Sequence, residues 1–107
     1  MMMNMVRTNT RMIEYSTVYG KFYRGNEPVN GHATFIPQET DIYIDGNLYS
    51  MKPFDFPVVG GTLMSNGAEG VSLPASFSGI RWKVTVLPLN YSIMVESFPG
   101  DIFSLGD

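Results

Sequence analysis

The sequence predicts an all-β domain, an antiparallel sandwich of the immunoglobulin or transthyretin type preceded by an N-terminal arm. Three observations predict it. The run Arg81-Trp82-Lys83-Val84-Thr85-Val86 alternates charged or polar with apolar residues, the period-two pattern of a strand with one dry and one wet side. Short runs of this kind recur along the chain, separated by Gly, Pro, Asn and Asp at turn-forming positions. No stretch repeats its apolar residues at helical spacing, and seven to nine short strands without a helix is the pattern of a sandwich.

Residues 1–13 form the expected arm and residues 14–107 the expected sandwich. The arm reads M-M-M-N-M-V-R-T-N-T-R-M-I, with neither clean alternation nor a helical stripe. Two readings stay open for it: a frayed terminus, or a segment that docks on a neighbouring subunit, for which methionines offer soft, adaptable contacts. Glu14 to Arg24 is the first strand, with Val18, Gly20 and Phe22 on one side and Tyr19, Lys21 and Tyr23 on the other. Gly20 inside it marks a bulge or a close backbone approach. Gly25 to Gly31 is dense in turn residues, and His32 to Ile36 is the second strand, with Ala33 and Phe35 inward.

Asp41 to Met51 reads as a hairpin about Asp45-Gly46. Lys52 to Pro57 is interrupted by prolines and suits an edge or a connection. Thr62 to Met64, Val71 to Ala75, Arg81 to Val86 and Tyr91 to Glu96 are four further strands, with turns at Ser65 to Gly70, Ser76 to Gly79 and Leu87 to Asn90. Phe98-Pro99-Gly100-Asp101 is a last turn before a short apolar segment. The expected core is Val18, Phe22, Phe35, Leu63, Val71, Leu73, Trp82, Val84, Val86, Ile93 and Val95.

Composition narrows the function. The chain has 107 residues, one domain's worth, with 44% hydrophobic and 13% aromatic residues. Only 16% are charged, below the roughly 25–35% of a typical soluble surface, a hint of surface covered by partners. The net charge of −3 argues against nucleic acid as a ligand. That charge is uneven: Arg7 and Arg11 give the arm +2, while the other five bases and ten acids leave −5 on the rest. There is no cysteine, hence no disulfide or thiolate chemistry, and no signal peptide or membrane-spanning run is read.

No catalytic constellation emerges. His32 is the single histidine and reads as a surface residue beside a turn. Asp41-Ile-Tyr43-Ile-Asp45-Gly46 begins like a calcium loop, but Tyr43 stands at the third position and Lys52 at the twelfth, where oxygen ligands are required. Glu69, Glu96 and Asp101 have no spacing that marks an acid/base pair. Gly60-Gly61 and Gly67/Gly70 precede no helix and so make no phosphate loop. Asn90-Tyr91-Ser92 matches a glycosylation sequon, a short pattern frequent by chance. The chain reads as non-enzymatic, with no cofactor and no metal. Tyr15, Tyr19, Tyr23, Tyr43 and Tyr49, with Phe54 and Phe56, crowd its N-terminal half, several on outward faces. They suit cross-strand pairs, a protein interface or a glycan-stacking platform.

Four segments together resemble a known family. They are Tyr19-Gly20-Lys21-Phe22 with the turn Gly25 to Gly31; Thr34-Phe35-Ile36-Pro37; Thr62-Leu63, Asn66-Gly67 and Val71-Ser72-Leu73-Pro74-Ala75; and Trp82-Lys83-Val84-Thr85-Val86 followed by Tyr91 to Glu96 and Phe98-Pro99-Gly100-Asp101. In this order they resemble the small β-sandwich domain of actinobacteriophage minor tail proteins, over roughly residues 15–105. The resemblance implies a structural virion protein at the tail tip or baseplate, in multiple copies, bound to other virion proteins without nucleic acid or membrane insertion. A capsid decoration protein is one alternative, and a carbohydrate-binding module contacting host-surface glycans is another. Family members often carry this domain at the head of a longer fibre-like chain, whereas this sequence stops at Asp107, which implies a stand-alone component. The expected partner-binding residues are Met1, Met2, Met3, Met5, Arg7, Arg11 and Met12 of the arm, with Tyr19 and Tyr23 of the first strand.

Overall fold

The computed structural model describes residues 13–106, and all of its regular structure among them is β-strand. The strands are β1 (Glu14–Lys21), β2 (Tyr23–Arg24), β3 (Glu27–Pro28), β4 (Gly31–Pro37), β5 (Asp41–Ile44), β6 (Asn47–Ser50) and β7 (Phe54–Val59). They continue as β8 (Thr62–Ser65), β9 (Ala68–Glu69), β10 (Val71–Ala75), β11 (Ile80–Leu87), β12 (Tyr91–Ser97) and β13 (Ile102–Gly106). One curled, largely antiparallel sheet follows the order β10-β1-β8-β7-β4-β11-β12, with β13 added to β1 and β9 to β8. Two small hairpins, β2–β3 and β5–β6, stand apart from it.

Three turns use the same device. Two-residue hairpin loops that follow the right-handed twist of their strands need positive φ at both positions. Asp45 and Gly46 (φ 51° and 79°), Gly60 and Gly61 (57° and 82°), and Asn66 and Gly67 (52° and 77°) all meet that need. They join β5 to β6, β7 to β8 and β8 to β9 in turn. The Gly60-Gly61 turn is also stitched to distant backbone: Phe22 N–H donates to the Gly61 carbonyl (2.7 Å) and Gly61 N–H to the Val29 carbonyl (2.8 Å). This fixes the β2–β3 hairpin beside the main sheet.

Alternation does set the core. Val18, Phe22, Phe35, Leu63, Val71, Leu73, Trp82, Val84 and Val86 are all buried, as expected, and Val29, Ala33, Met51, Val58, Ile80 and Leu105 join them. The expectation fails for Ile93 and Val95, which are only half-buried. Their strand, β12, is the last on the path and pairs with β11 alone, so cover is missing along its outer side. The first strand is also shorter than the alternation suggests. It ends at Lys21, and Tyr23 and Arg24 pair instead with Pro28 and Glu27. Gly20 is closely approached by side chains and not by backbone as expected: a Cβ there would stand 2.7 Å from the Phe22 ring and 3.2 Å from Leu63 Cβ.

The proline-interrupted stretch 52–57, expected to be an edge or a connection, is a connection through Pro53 and a strand from Phe54 on. β7 runs along β4 from Phe54 to Val58, while β8 joins it only at Val58 and Val59. Pro57 lies one residue before β8 joins, on a stretch of β7 that pairs with β4 alone, the kind of position a proline tolerates.

Curling brings the two ends of the path together. Ser97 on β12 and Ser16 on β1 are fully buried, with their Oγ atoms 2.9 Å apart. Ser97 Oγ lies 2.8 Å from the Pro74 carbonyl of β10, to which it donates. With the Ser16 hydroxyl donating to Ser97 Oγ, each hydrogen is used. Ser97→Ala takes the hydroxyl donor from the Pro74 carbonyl and leaves the Ser16 hydroxyl only its longer bond to the Leu73 carbonyl (3.5 Å) in a dry site, an expected loss of about 1–3 kcal/mol. Ser16→Ala leaves the Ser97–Pro74 bond in place and should cost clearly less. Urea denaturation of the two variants measures the difference.

Candidate interaction surface

β1 pairs with three strands. Its first half pairs antiparallel with β10 from Glu14↔Ala75 to Val18↔Val71, its second half pairs parallel with β13 from Thr17↔Ile102 to Lys21↔Gly106, and Lys21 meets Thr62 of β8. A strand held this way turns alternate side chains outward, and Tyr15 and Tyr19 are the large ones. Tyr19 leans over the backbone of Gly70, where an added Cβ would come within 2.7 Å of its ring. Ile102, 70% exposed, lies opposite Thr17 on the neighbouring strand and extends this apolar surface.

Tyr23 is exposed as expected but belongs to the β2–β3 hairpin, not to β1. Tyr19 and Tyr23 thus occupy different sheets. Tyr43 lies opposite Leu48 on the β5–β6 hairpin, and both are exposed, while Ile42 and Tyr49 on its other side pack against the core. Phe54 and Phe56 are mainly core-related: Phe54 stacks on Phe56 (5.9 Å between centroids), Phe56 meets Phe35 edge-on (5.7 Å), and Phe54 lies 5.8 Å from Trp82. The expected arm residues Met1, Met2, Met3, Met5, Arg7, Arg11 and Met12 lie outside the described residues.

The charged side chains are spread out. Lys21 pairs with Glu69 (3.3 Å) and donates to the Thr62 hydroxyl, and Arg81 pairs with Glu39 (3.1 Å). His32 is exposed on β4 with Nδ1 3.6 Å from Asp55. Glu69, Glu96 and Asp101 fall on β9, on β12 and in the turn before β13. Among the described residues no three metal-binding side chains gather, and no helix is long and apolar enough to cross a membrane.

What stands out is apolar. Tyr15, Tyr19, Tyr23, Ile36, Tyr43, Leu48, Val59, Phe77, Leu87, Met94 and Ile102 are all exposed. Isolated exposed apolar residues are ordinary, but here they include aromatic rings on β1, on both small hairpins and in the link after β10. Alternation had flagged the tyrosines; Phe77 and Ile102 carried no sequence signal, since one sits in a turn and the other opens the final short strand. Comparison with known proteins finds no matching family, no matching curated protein and no matching solved structure.

Proposed function

We propose that this chain is a non-enzymatic structural component of a bacteriophage virion, a minor tail protein at the tail tip or baseplate. In this reading its curled sheet is a sandwich of the immunoglobulin or transthyretin type. The observation that carries the proposal is the set of exposed aromatic and aliphatic side chains on a chain with only 16% charged residues. Surfaces that bind protein are enriched in Tyr, Phe and Met and depleted of charge at their centres. The resemblance described above supplies the setting, and its motif residues occupy fold-defining places: Asn66-Gly67 forms a hairpin turn, and Phe35, Leu73 and Trp82 lie in the core. In this assembly neighbouring virion subunits cover the Tyr19 and Ile102 surface and engage the arm.

The test is incorporation. Deleting residues 1–13 is expected to leave the sheet folded, with an unchanged far-ultraviolet circular dichroism spectrum, and to abolish the chain's presence in purified particles as read by mass spectrometry. A truncated chain that still enters particles removes the arm from the proposal. Particles that lack even the full-length chain refute the virion reading itself.

A further inference from the structure

The path of the main sheet has two ends, and they are finished differently. β10 closes one end and carries Pro74, which lacks the N–H that a further ladder needs. β12 closes the other, seven residues from Tyr91 to Ser97 without proline, glycine, lysine or arginine. Among the described residues it pairs with β11 alone, in a ladder unbroken from Ile80↔Ser97 to Val86↔Tyr91. Its other side therefore presents a row of backbone N–H and C=O groups with no ladder partner. Proteins that keep such an edge solitary blunt it with shortness, prolines, lysines or bulges. β12 has none of these, and its one charge is Glu96. β13, beside β1, is shorter and ends at Gly106, whose N–H is already given to the Tyr91 hydroxyl (3.2 Å).

This open edge is complementary to itself. Alternation along β12 puts Ile93 and Val95, both half-buried, on the inner side and Ser92, Met94 and Glu96 on the outer. In an antiparallel pair of two such strands centred on Met94, each Ile93 lies opposite the other copy's Val95. That supplies the cover these two residues lack in the single chain. On the outer side Met94, 53% exposed, meets its own counterpart, and Glu96 meets Ser92. The two Glu96 positions then stand about 14 Å apart along the ladder, beyond the screening length of about 8 Å at physiological salt. Parallel pairing in register would instead set Glu96 against Glu96, a destabilising like-charge pair. Charge thus selects the antiparallel arrangement. Ser97 is already buried against Ser16 and Pro74, so the new ladder runs over residues 92–96.

We propose that β12 pairs antiparallel with β12 of a second copy of this chain, about a two-fold axis at Met94. Such pairing consumes the open edge of both copies, so association through it stops at two. Five residues span about 17 Å, a small contact beside stable interfaces, so the dimer forms reversibly as concentration rises. The proposal concerns the isolated protein and stands whether or not the chain is a virion component.

The absence of cysteine lets single thiols test the register in the full chain. Met94→Cys sets the two thiols directly opposite each other, with Cβ atoms about 5 Å apart, close to disulfide geometry. Ser92→Cys, on the same strand and the same side, holds its two thiols about 14 Å apart. With oxidised glutathione as the oxidant, the covalent dimer is expected to form at least tenfold faster with Met94→Cys, as read on non-reducing gels. Met94→Lys, at an exposed position, is expected to leave the circular dichroism spectrum unchanged. It should weaken the association of the cysteine-free chain, measured by sedimentation velocity, at least tenfold. Equal crosslinking rates for the two thiols overturn the proposal. A chain that sediments as a monomer at every concentration also overturns it and leaves the edge to a different occupant. A dimer indifferent to Met94→Lys does so too, and moves the contact to another surface, such as that of Tyr19 and Ile102.

Discussion

Trp82→Ala is expected to lower the unfolding free energy by about 3–5 kcal/mol, a large part of the roughly 5–15 kcal/mol available to a domain of this kind. The indole is wholly buried in the middle of β11, between Pro37 of β4 and Val95 of β12, with Phe54 against it. Truncation loses its burial and leaves a cavity that β-ladders on both sides hold open. Its Nε1 has no acceptor among the described residues, so part of the burial gain is already offset by an unsatisfied donor. Trp82→Phe removes that donor and keeps a ring, and should cost well under half as much. Urea denaturation followed by circular dichroism gives both values. A Trp82→Ala variant within about 1 kcal/mol of the parent would mean that the core is not built around this ring.

Gly31→Ala is expected to cost at least about 3 kcal/mol, the upper end of overpacking penalties. The reason is not φ, since Gly31 lacks the positive φ of the turn glycines. A Cβ at Gly31 would be driven onto the Leu87 carbonyl oxygen and within 2.8 Å of Pro88 Cδ. Leu87 is the last residue of β11 and Pro88 follows it, and Leu87 pairs with His32, the next residue of β4. Neither strand can retreat without breaking that ladder. Gly67→Ala is the control: nothing lies within 4 Å of its added Cβ, so only the strain of a φ of 77° remains, about 1–2 kcal/mol. Thermal denaturation of the two variants should show the larger drop in Tm for Gly31→Ala, and the reverse order would refute the steric argument.

Such positions also show which parts of the molecule were legible in advance. Alternation from Arg81 to Val86 and the Asp45-Gly46 and Asn66-Gly67 turns were readable because each depends on a few adjacent residues. Ser16 and Ser97 were not, because a serine at an inward position looks like a surface residue until the partner 81 positions away is in place. The end of β1 at Lys21 was hidden for a similar reason. Phe22 and Tyr23 continue the alternation, but the backbone of Phe22 is claimed by Gly61 and Val29. Val58 escaped notice because it is framed by Pro57 and Gly60, residues that ordinarily interrupt a strand. The interaction surface was legible as single tyrosines and not as a patch, since strand pairing decides which of them become neighbours. The arm was legible only as a composition.

The parallel pairing of β1 with β13 has a mechanical consequence. In a parallel pair, the N-terminal end of one strand and the C-terminal end of the other lie at opposite extremes of the ladder. A pull applied between Glu14 and Gly106 therefore acts along the strands and loads the bonds from Thr17↔Ile102 to Lys21↔Gly106 together. An antiparallel hairpin pulled from its two open ends would instead give way one rung at a time. The same backbone that displays Tyr15 and Tyr19 thus resists being drawn out lengthwise, so tension along this axis is borne by the whole ladder in shear.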